Sequence, residues 1–336
     1  HFGGNVFSYV EEETGVEVHK YGPHIFHTSN EEVMTYASRF MELNDYVHNV
    51  YAIHNGMPFS LPINLHTLSQ FYGRTISPEE AKSLIAGKKS PDARNFEEAA
   101  VSAIGQDLYE AFFEGYTRKQ WNQDPKDLPP SIFSRLPIRF DYDSRYFRDR
   151  YEGVPSDGYT EWVRRMLDQT KITLALNTEF KEVRSILDPG TPIIYSGPID
   201  EYFDNKFGRL QWRTLDFEHE NLATESFQGV AQMNYPSLDV PWTRIIEHRY
   251  FQPETQSYKG TTITREFSRL ALEGDDPFYP VRTDPEVERY GKYRQLALKE
   301  KRTLFGGRLG SFAYIDMHQA VSGAMRAFFT RLHGQL

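Results

Sequence analysis

The residue types best suited to binding a charged ligand are concentrated between positions 135 and 151. Arginine and aromatic residues alternate there, namely Arg135, Arg139, Phe140, Tyr142, Arg145, Tyr146, Phe147, Arg148, Arg150 and Tyr151. Guanidinium groups bind phosphate in a bidentate manner, and tyrosine hydroxyls donate to the same oxygens. The segment therefore indicates a diphosphate site. A solvated surface, with the arginines paired to Asp141, Asp143 and Asp149, is an equally good interpretation of the pattern alone.

A second aromatic group lies around the segment 112–121. Phe112 and Tyr116 are four positions apart, so they share one face of a helix. Trp121 follows at the end of the same helical pattern, immediately before a proline-rich loop. The pattern leaves two interpretations open, a ligand site at the end of the helix or ordinary packing in a core.

Two histidines, His24 and His27, form an H-x-x-H pair. A metal site would need a third ligand, and the sequence shows none near them. We therefore predict no metal site, and expect a histidine beside a bound ring or a hydrogen-bonded structural histidine. The glycine pairs Gly3-Gly4 and Gly306-Gly307 allow close backbone approach to a ligand, but such short patterns are weak evidence.

Composition excludes several classes of function. The 336 residues include 38 Lys and Arg against 47 Asp and Glu, and this acidic balance argues against nucleic acid as a partner. There is no cysteine, which excludes disulfides, thiolate catalysis and cysteine-ligated metals. No apolar run approaches the roughly 18 residues of a membrane helix, and the start at His1 has no signal-peptide pattern. We expect a cytoplasmic protein without a membrane partner.

The segments that must position these residues are of two kinds, those with the periodicity of helices and those with the pattern of strands. Helical periodicity is found at 30–43, 95–116, 157–169, 285–299 and 316–332. Strands are expected at 172–176 and 192–195, in a hairpin over 46–61 that turns at Asn55-Gly56, and in the stretch 212–269. Since helical and strand patterns are interspersed at both ends of the chain, as in α/β domains, we predict one discontinuous domain with insertions.

Eight collinear motifs resemble the signature of the UDP-galactopyranose mutase family. They are Lys20-Tyr21-Gly22-Pro23-His24-Ile25-Phe26-His27-Thr28, Gly115-Tyr116-Thr117 with Lys119-Gln120-Trp121, Arg135-Leu136-Pro137 with Arg139-Phe140, Ser196-Gly197-Pro198-Ile199-Asp200, Thr243-Arg244-Ile245-Ile246-Glu247-His248, Phe278-Tyr279-Pro280-Val281, Phe305-Gly306-Gly307-Arg308-Leu309, and Tyr314 with Asp316-Met317-His318-Gln319. The similarity extends over nearly the whole chain, so it is far more specific than any single motif.

The resemblance implies an α/β fold of three parts. The first is a discontinuous Rossmann-like FAD-binding domain over 1–45, 155–205 and 284–336. The second is an inserted helical substrate and lid domain over 66–135, and the third is an antiparallel β-sheet domain over 46–65, 136–154 and 206–283. Family members begin with a strand, a G-x-G-x-x-G turn and a helix, whereas this chain begins after that unit, so about 30 residues of a βαβ start are expected to be missing.

The resemblance also implies a reaction, the interconversion of UDP-galactopyranose and UDP-galactofuranose without net redox change. In the family, N5 of reduced FAD attacks the anomeric carbon as UDP leaves. The implied catalytic residues are Arg135, Arg244 and His24. The implied substrate-binding residues are Asn64, Phe112, Tyr116, Thr117, Trp121, Tyr146, Tyr279 and Tyr314. The implied cofactor-binding residues are Gly3, Gly4, Asn5, His27, Gly307, Arg308, Asp316 and Met317.

Three further expectations follow from the resemblance. The loop between Trp121 and Arg135 is expected to be a lid that excludes water from the reacting sugar. A homodimer is expected, as in bacterial relatives. Two alternatives to the mutase are an FAD-dependent oxidoreductase of the amine-oxidase-like group, which would not need two diphosphate-binding arginines, and a nucleotide-sugar binding fragment without activity.

Overall fold

The computed structural model describes residues 1–85, 92–135, 137–169, 171–252 and 258–332, with the side chains of 134, 135, 331 and 332 excepted. Within these ranges the α-helices are α1 (Glu31–Ala37), α2 (Leu65–Phe71), α3 (Pro78–Ile85), α4 (Phe96–Ile104), α5 (Gln106–Tyr109), α6 (Gly115–Trp121), α7 (Tyr159–Leu167), α8 (Phe180–Val183), α9 (Ile199–Tyr202), α10 (Asp284–Ala297), α11 (Gly307–Ser311) and α12 (Met317–Ala327). A π-helical turn, Glu110–Glu114, joins α5 to α6. None of the described helices is long and apolar enough to cross a membrane.

The strands of the same ranges are β1 (Ser8–Val10), β2 (Glu17–His19), β3 (Phe26–Thr28), β4 (Val50–His54), β5 (Met57–Leu61), β6 (Tyr151–Gly153), β7 (Ile193–Tyr195), β8 (Trp212–Leu222), β9 (Gln232–Asn234), β10 (Arg244–Glu247), β11 (Thr261–Leu270), β12 (Tyr279–Pro280) and β13 (Thr303–Phe305). Seven of them form one sheet in the order β12-β8-β11-β10-β9-β4-β5. Its neighbours are antiparallel except β4 and β9, which are parallel.

The sheet confirms the strand pattern predicted for 46–61 and most of that for 212–269. Asn55 and Gly56 both have positive φ, as the tight hairpin between β4 and β5 requires. β8 and β11 pair over ten residues and form the long central ladder. The segment 227–231, however, is not a strand, and β9 begins only at Gln232.

The helices also follow the sequence pattern, because their end signals are local. The Asn95 side chain accepts a hydrogen bond from the backbone N–H of Glu98 and caps α4. Asn30 caps α1 in the same way, but α1 ends at Ala37, earlier than the predicted 43. The helical segment 66–135 packs with β4 and β5 around one apolar core that includes Phe59, Leu68 and Phe96.

The α/β part contains a short parallel pair, β7 with β13, flanked by α9, α10 and α11. The strand predicted at 172–176 is absent, and Ile172 and Leu174 are exposed. A strand needs a neighbour to pair with its backbone groups, and no described strand lies beside this segment. The domain boundaries predicted from the sequence stay a prediction.

Candidate active site

An arginine and a glutamate from adjacent strands form the charged centre of the sheet. Arg244 on β10 lies directly opposite Glu266 on β11, and its Nε donates to Glu266 Oε2 at 2.6 Å. The Arg244 side chain is 17% exposed and that of Glu266 only 1%. Arg244 therefore has one edge fixed by a buried carboxylate and retains an accessible edge that could meet an anion.

Burial and pairing compete in this ion pair. Burial is the largest single effect and lowers the pKa of Arg244, but the Glu266 carboxylate, Tyr279 and Tyr116 together outweigh it, and the pKa is raised above its usual value. Burial raises the pKa of Glu266, while Arg244 opposes that shift. Glu266 Oε1 is buried and has no hydrogen-bond partner in the described part of the chain. The guanidinium thus remains cationic at neutral pH.

The loop that carries His24 passes closely over this pair. Gly22 has φ +88°, and a Cβ added there would lie 2.9 Å from Glu266 Oε1. Both the left-handed backbone and the close approach therefore favour glycine. The turn in turn fixes His24, whose Nδ1 lies 2.9 Å from the Gly22 carbonyl oxygen.

His24 is half-buried and neutral. Burial lowers its pKa to about 4, although the hydrogen bond to Gly22 acts in the opposite direction; the cations Arg308 and Arg244 lower it further. With Nδ1 donating to the carbonyl, Nε2 is left as a hydrogen-bond acceptor. His24 therefore supplies a neutral imidazole close to two arginines.

Two tyrosines and an arginine form a stack at the same end of the sheet. The rings of Tyr279 and Tyr314 stack at 5.5 Å, and the Arg308 guanidinium lies 4.8 Å from the Tyr314 centroid and 5.9 Å from that of Tyr279. Arg308 also donates to the carbonyl oxygens of Phe278 and Ile315 at 3.0 and 2.7 Å. These bonds hold the cation beneath the two rings.

The hydroxyls around Arg244 remain protonated. Burial raises the pKa of Tyr146 to about 12, and Tyr314 and Tyr116 raise it further while Arg244 lowers it. Burial likewise raises the pKa of Tyr116 and of Tyr279, against an opposing effect of Arg244. Since phenols donate hydrogen bonds in their neutral form, the group provides donors around one arginine, as a diphosphate would need.

The remaining arginines of 135–151 mostly have other partners. Arg145 and Arg148 both pair with Asp143, which confirms the solvated-surface interpretation for these two. Arg139 is buried and donates to the carbonyl oxygen of Tyr146 at 3.0 Å, so it holds the loop that presents Tyr146. The side chain of Arg135 lies outside the described residues, and its catalytic role stays a prediction.

His27 has three acidic or imidazole neighbours, Asp149, Asp316 and His318, that the sequence did not reveal. Its Nδ1 lies 2.7 Å from Asp149 Oδ2, and its ring stacks on Phe147 at 3.6 Å. Ligand atoms of His27, Asp316 and His318 all lie within 4.8 Å of one another. The sequence did not show this cluster, because residues almost 300 positions apart meet at the start of α12; His24 is not part of it, and the absence of a metal site stays a prediction.

The residues at the start of α12 also fit a polar ring system. Asp316 caps the helix, in a capping box with Gln319. His318 Nδ1 is buried without a hydrogen-bond partner among the described residues, so a ligand group there would satisfy it. Gly307, at φ +71°, begins α11 and allows the backbone to approach a ligand closely. The cluster of His27, Asp316 and His318 thus offers polar groups that a flavin could meet, and the cofactor-binding roles of Met317, Gly307 and Arg308 stay predictions.

The N-terminal residues are linked through Tyr21 to the neighbourhood of the tyrosine stack. Gly3 and Gly4 both have positive φ in a turn that continues to Asn5. The His1 ring lies 2.7 Å from the Tyr21 hydroxyl, and Tyr21 is 6.3 Å from the ring of Phe278, next to the tyrosine stack. Their predicted contact with FAD stays a prediction.

Helix α6 brings a second set of predicted residues to the sheet. Its Gln120 carbonyl oxygen accepts hydrogen bonds from Ser268 Oγ at 2.7 Å and from the buried Arg213 at 3.0 Å. Tyr116 on this helix interacts electrostatically with Arg244. Thr117 is buried on the same helix, and Trp121 ends it half-buried, against the helical core.

Two predicted substrate-binding residues lie inside the helical core instead. Asn64 is 0% exposed and caps α2, with its oxygen accepting from the N–H groups of His66 and Thr67. Its amide also donates to Ser60 Oγ at 3.1 Å, so its hydrogen-bonding groups are occupied. Phe112 is 2% exposed. The substrate-binding roles of both residues stay predictions.

Two residues of the site were missed in the sequence. The sequence offered one signal for Glu266, because it places a carboxylate at an inward position of a predicted strand. An unpaired charge at such a position is costly, so a cationic partner could have been expected. His48 gave no signal, since it precedes β4 in no recognisable motif. It is buried, its ring is 5.5 Å from that of Tyr146, and burial, with Arg244 and His27, lowers its pKa to about 3.

Comparison with known proteins agrees with this geometry. A family profile described as UDP-galactopyranose mutase matches residues 111–314, and one described as NAD(P)-binding Rossmann-like domain matches residues 1–40. A crystal structure of reduced UDP-galactopyranose mutase has the same fold, with a TM-score of 0.65 over 95% of this chain and 85% of that chain at 12% identity. The family profile and the fold thus define a Rossmann-like α/β isomerase with a flavin cofactor.

The chain belongs to the UDP-galactopyranose mutase family. It is 45% identical, over 97% of its length and 85% of the relative's, to a Klebsiella pneumoniae protein named "Probable UDP-galactopyranose mutase". It is 40% identical, over 97% of its length and 88% of the relative's, to a dTDP-fucopyranose mutase of Escherichia coli. The α/β fold class and the family predicted from the sequence are confirmed.

Proposed function

We propose that this enzyme interconverts UDP-galactopyranose and UDP-galactofuranose, and that it requires its FAD in the reduced form. The observation that carries the proposal is the Arg244 centre, where a fixed cation is surrounded by neutral tyrosine hydroxyls. Such a group is suited to a diphosphate that gains negative charge when it leaves the sugar. An ordinary flavin oxidase would have no need of it.

The residues divide into two groups in this proposal. Arg244, Tyr146, Tyr279 and Tyr314 bind the diphosphate, and Tyr116 binds toward the uridine end. His24, Arg308 and the start of α12 hold the flavin, which supplies, when bound and reduced, a nucleophilic nitrogen for the anomeric carbon. His24 is neutral above pH 4, so it accepts a hydrogen bond there without adding positive charge.

Turnover by variants tests the proposal. Arg244→Ala should lower kcat/KM for UDP-galactofuranose by about a hundredfold, because a charge-assisted contact to the leaving group is worth several kcal/mol. Arg269→Ala is the matched control, since Arg269 lies on β11 and pairs with Asp216 and Asp275 instead. Equal activity of the two variants would contradict the proposed role of Arg244.

The relatives suggest two nucleotide sugars to compare. dTDP-fucofuranose and UDP-galactofuranose should be assayed side by side, with FAD and with or without dithionite. We expect faster conversion of the UDP-sugar, and only under reduction. Preference for the dTDP-sugar would keep the class of reaction but replace the substrate. The expected homodimer stays a prediction, which light scattering in solution would test.

A further inference from the structure

Lys119 on α6 has an unusual set of hydrogen-bond partners. Its ammonium group donates to four backbone carbonyl oxygens, those of Tyr235, Ser237, Val240 and Trp242. Three of these distances are 2.7, 3.2 and 2.8 Å, for Ser237, Val240 and Trp242 respectively. All four acceptors belong to the loop 235–242, between β9 and β10. The loop therefore wraps around one cation that comes from a different part of the chain.

The hydrogen-bond partners of Lys119 are neutral carbonyl groups and not carboxylates. No carboxylate in the described part of the chain pairs with Lys119, and burial lowers its pKa to about 8. A compact ammonium suits a ring of converging carbonyl oxygens, because its three hydrogens can be shared among them. A planar guanidinium could not address four oxygens around one point. The sequence position therefore favours lysine over arginine.

The helix that carries Lys119 also touches the loop directly. A Cβ added at Gly115 would lie 2.2 Å from the carbonyl oxygen of Pro236, so only glycine lets α6 lie this close to the loop backbone. Tyr116 follows on the same helix. The contact between Gly115 and Pro236 therefore holds the next residue of α6, Tyr116, close to the loop.

The loop connects two strands that present residues to the charged centre. β9 includes Gln232, which interacts with Arg244 at 3.4 Å through its side-chain oxygen. β10 begins with Arg244 itself, two residues after the Trp242 carbonyl that Lys119 binds. A change in the loop would therefore move Arg244 relative to Tyr116.

We propose that Lys119 is a positioning residue, whose ammonium holds the loop 235–242 on α6 so that Arg244 and Tyr116 face the same nucleotide diphosphate. Its ammonium hydrogens are all engaged by the loop carbonyl oxygens, so it acts through the loop. The nature of the ligand rests on the proposed function, but the positioning role does not depend on which sugar is attached. Its loss should mainly weaken nucleotide binding, since a displaced Arg244 no longer meets the diphosphate in the geometry of a charge-assisted hydrogen bond.

The chain contains no cysteine, which allows a sharp test. Lys119→Cys introduces a single thiol that 2-bromoethylamine converts into a thioether analogue of lysine. Alkylation with 1-bromopropane gives a side chain of the same length without charge. The two alkylated proteins differ only in the terminal group of the side chain, ammonium or methyl, and mass spectrometry shows that each modification is complete. Lys292→Met, a change at an exposed lysine of α10, is the control for general loss of positive charge.

The readouts are the Kd for UDP, from calorimetry of the FAD-loaded protein, and the split between KM and kcat for UDP-galactofuranose. We expect Lys119→Cys and its propyl form to raise Kd and KM by about tenfold to a hundredfold with a smaller change in kcat, and the aminoethyl form to recover most of the loss. Equal Kd values for the propyl and aminoethyl forms would overturn the inference.

Two outcomes separate this inference from the proposed function. If the unmodified protein fails to bind UDP, the proposed function fails, whatever Lys119 does. If it binds UDP and the Lys119 forms bind equally well, only the positioning role fails. Should Lys119→Cys not fold, Lys119→Arg takes its place, because it keeps the charge but not the geometry; a wild-type Kd in that variant would also overturn the inference.

Discussion

Removal of Arg244 should destabilise the protein through the carboxylate that it leaves behind. In Arg244→Ala, Glu266 stays 1% exposed in the middle of the sheet without its cation. Breaking a buried ion pair by removing one partner costs about 3–5 kcal/mol, mostly because of the unpaired charge. We expect about 3 kcal/mol here, since Arg244 is itself 17% exposed and water can enter its place.

The double variant Arg244→Ala/Glu266→Gln removes the charge together with its partner. Gln keeps the shape of Glu266 and one acceptor, so the remaining loss should be about 1–2 kcal/mol, for one hydrogen bond and lost packing. The coupling energy between the two positions should therefore be at least about 1 kcal/mol. The nucleotide site, in contrast, should not recover, because the cation is absent from both variants.

Lower pH should reduce the loss of stability caused by Arg244→Ala. Burial raises the pKa of Glu266, and the loss of Arg244 removes the one opposing effect. Between the ordinary pKa of 4.5 and the raised pKa of the buried carboxyl, each pH unit costs about 1.4 kcal/mol, because the group is protonated in the folded protein and ionised in the unfolded chain. The difference in stability between wild type and Arg244→Ala should therefore shrink as the pH falls from 7 toward 5.5.

The assay is urea unfolding at pH 7 and pH 5.5, followed by circular dichroism, with UDP titrations of the same proteins. Arg269→Ala serves as the control, because its ion pairs are 40% exposed on the arginine side and should be worth no more than about 1 kcal/mol. The reasoning is refuted if Arg244→Ala is as stable as Arg269→Ala at pH 7. It is also refuted if the double variant is no more stable than Arg244→Ala.

Three further predictions concern other parts of the site. Burial lowers the pKa of His248 to about 3. The contribution of the neutral His248 to the free energy of unfolding is therefore complete above pH 6.5, its ordinary pKa, and falls by about 1.4 kcal/mol per pH unit as the pH drops toward 3. In His248→Gln the free energy of unfolding measured in urea should depend less on pH in this range, and an unchanged slope would contradict the prediction. Gly22→Ala should lower stability by at least about 1 kcal/mol and weaken UDP binding, because the methyl group meets Glu266 in a left-handed backbone, whereas Gly73→Ala, with nothing within 4 Å, should show only the backbone cost. Zn²⁺ should slow FAD loading of the apoprotein through His318 and its neighbours, and a His318→Ala variant that is equally sensitive would exclude that site.

Local signals explain which parts of the fold could be predicted from the sequence. Asn55-Gly56 defined a hairpin because the tight turn requires positive φ at both residues. Asn95 marked the start of α4 because its side chain caps the helix that follows. Such elements depend on neighbours within a few positions, and the chain shows them directly.

Elements that depend on distant partners were not predictable in this way. The pattern at 172–176 has the alternation of a strand, but alternation cannot supply a neighbouring strand. Asn64 precedes a helix with Thr67 three residues later, and the structure shows that the two form a capping box, a structural role that the resemblance did not indicate. The same spacing that put Phe112 on a helix face is equally suited to a core, which is where it lies.

The candidate site contains residues that motifs had named and others that only the fold brings to them. Arg244 and Tyr279 come from motifs that the resemblance supplied. The pairing of Arg244 with Glu266 depends on the register of β10 and β11, which sequence alone does not give. The meeting of His27 with His318 spans almost the whole chain, so no spacing rule could reveal it.

The most direct test of the account is conversion of UDP-galactofuranose to UDP-galactopyranose by the purified protein with FAD, followed by chromatography with and without dithionite. The account predicts turnover in the reduced sample and little or none in the oxidised one, with UDP as a competitive inhibitor. Equal turnover in both samples would contradict a role for reduced flavin. No turnover in either sample, from protein that binds FAD and UDP, would contradict the proposed reaction.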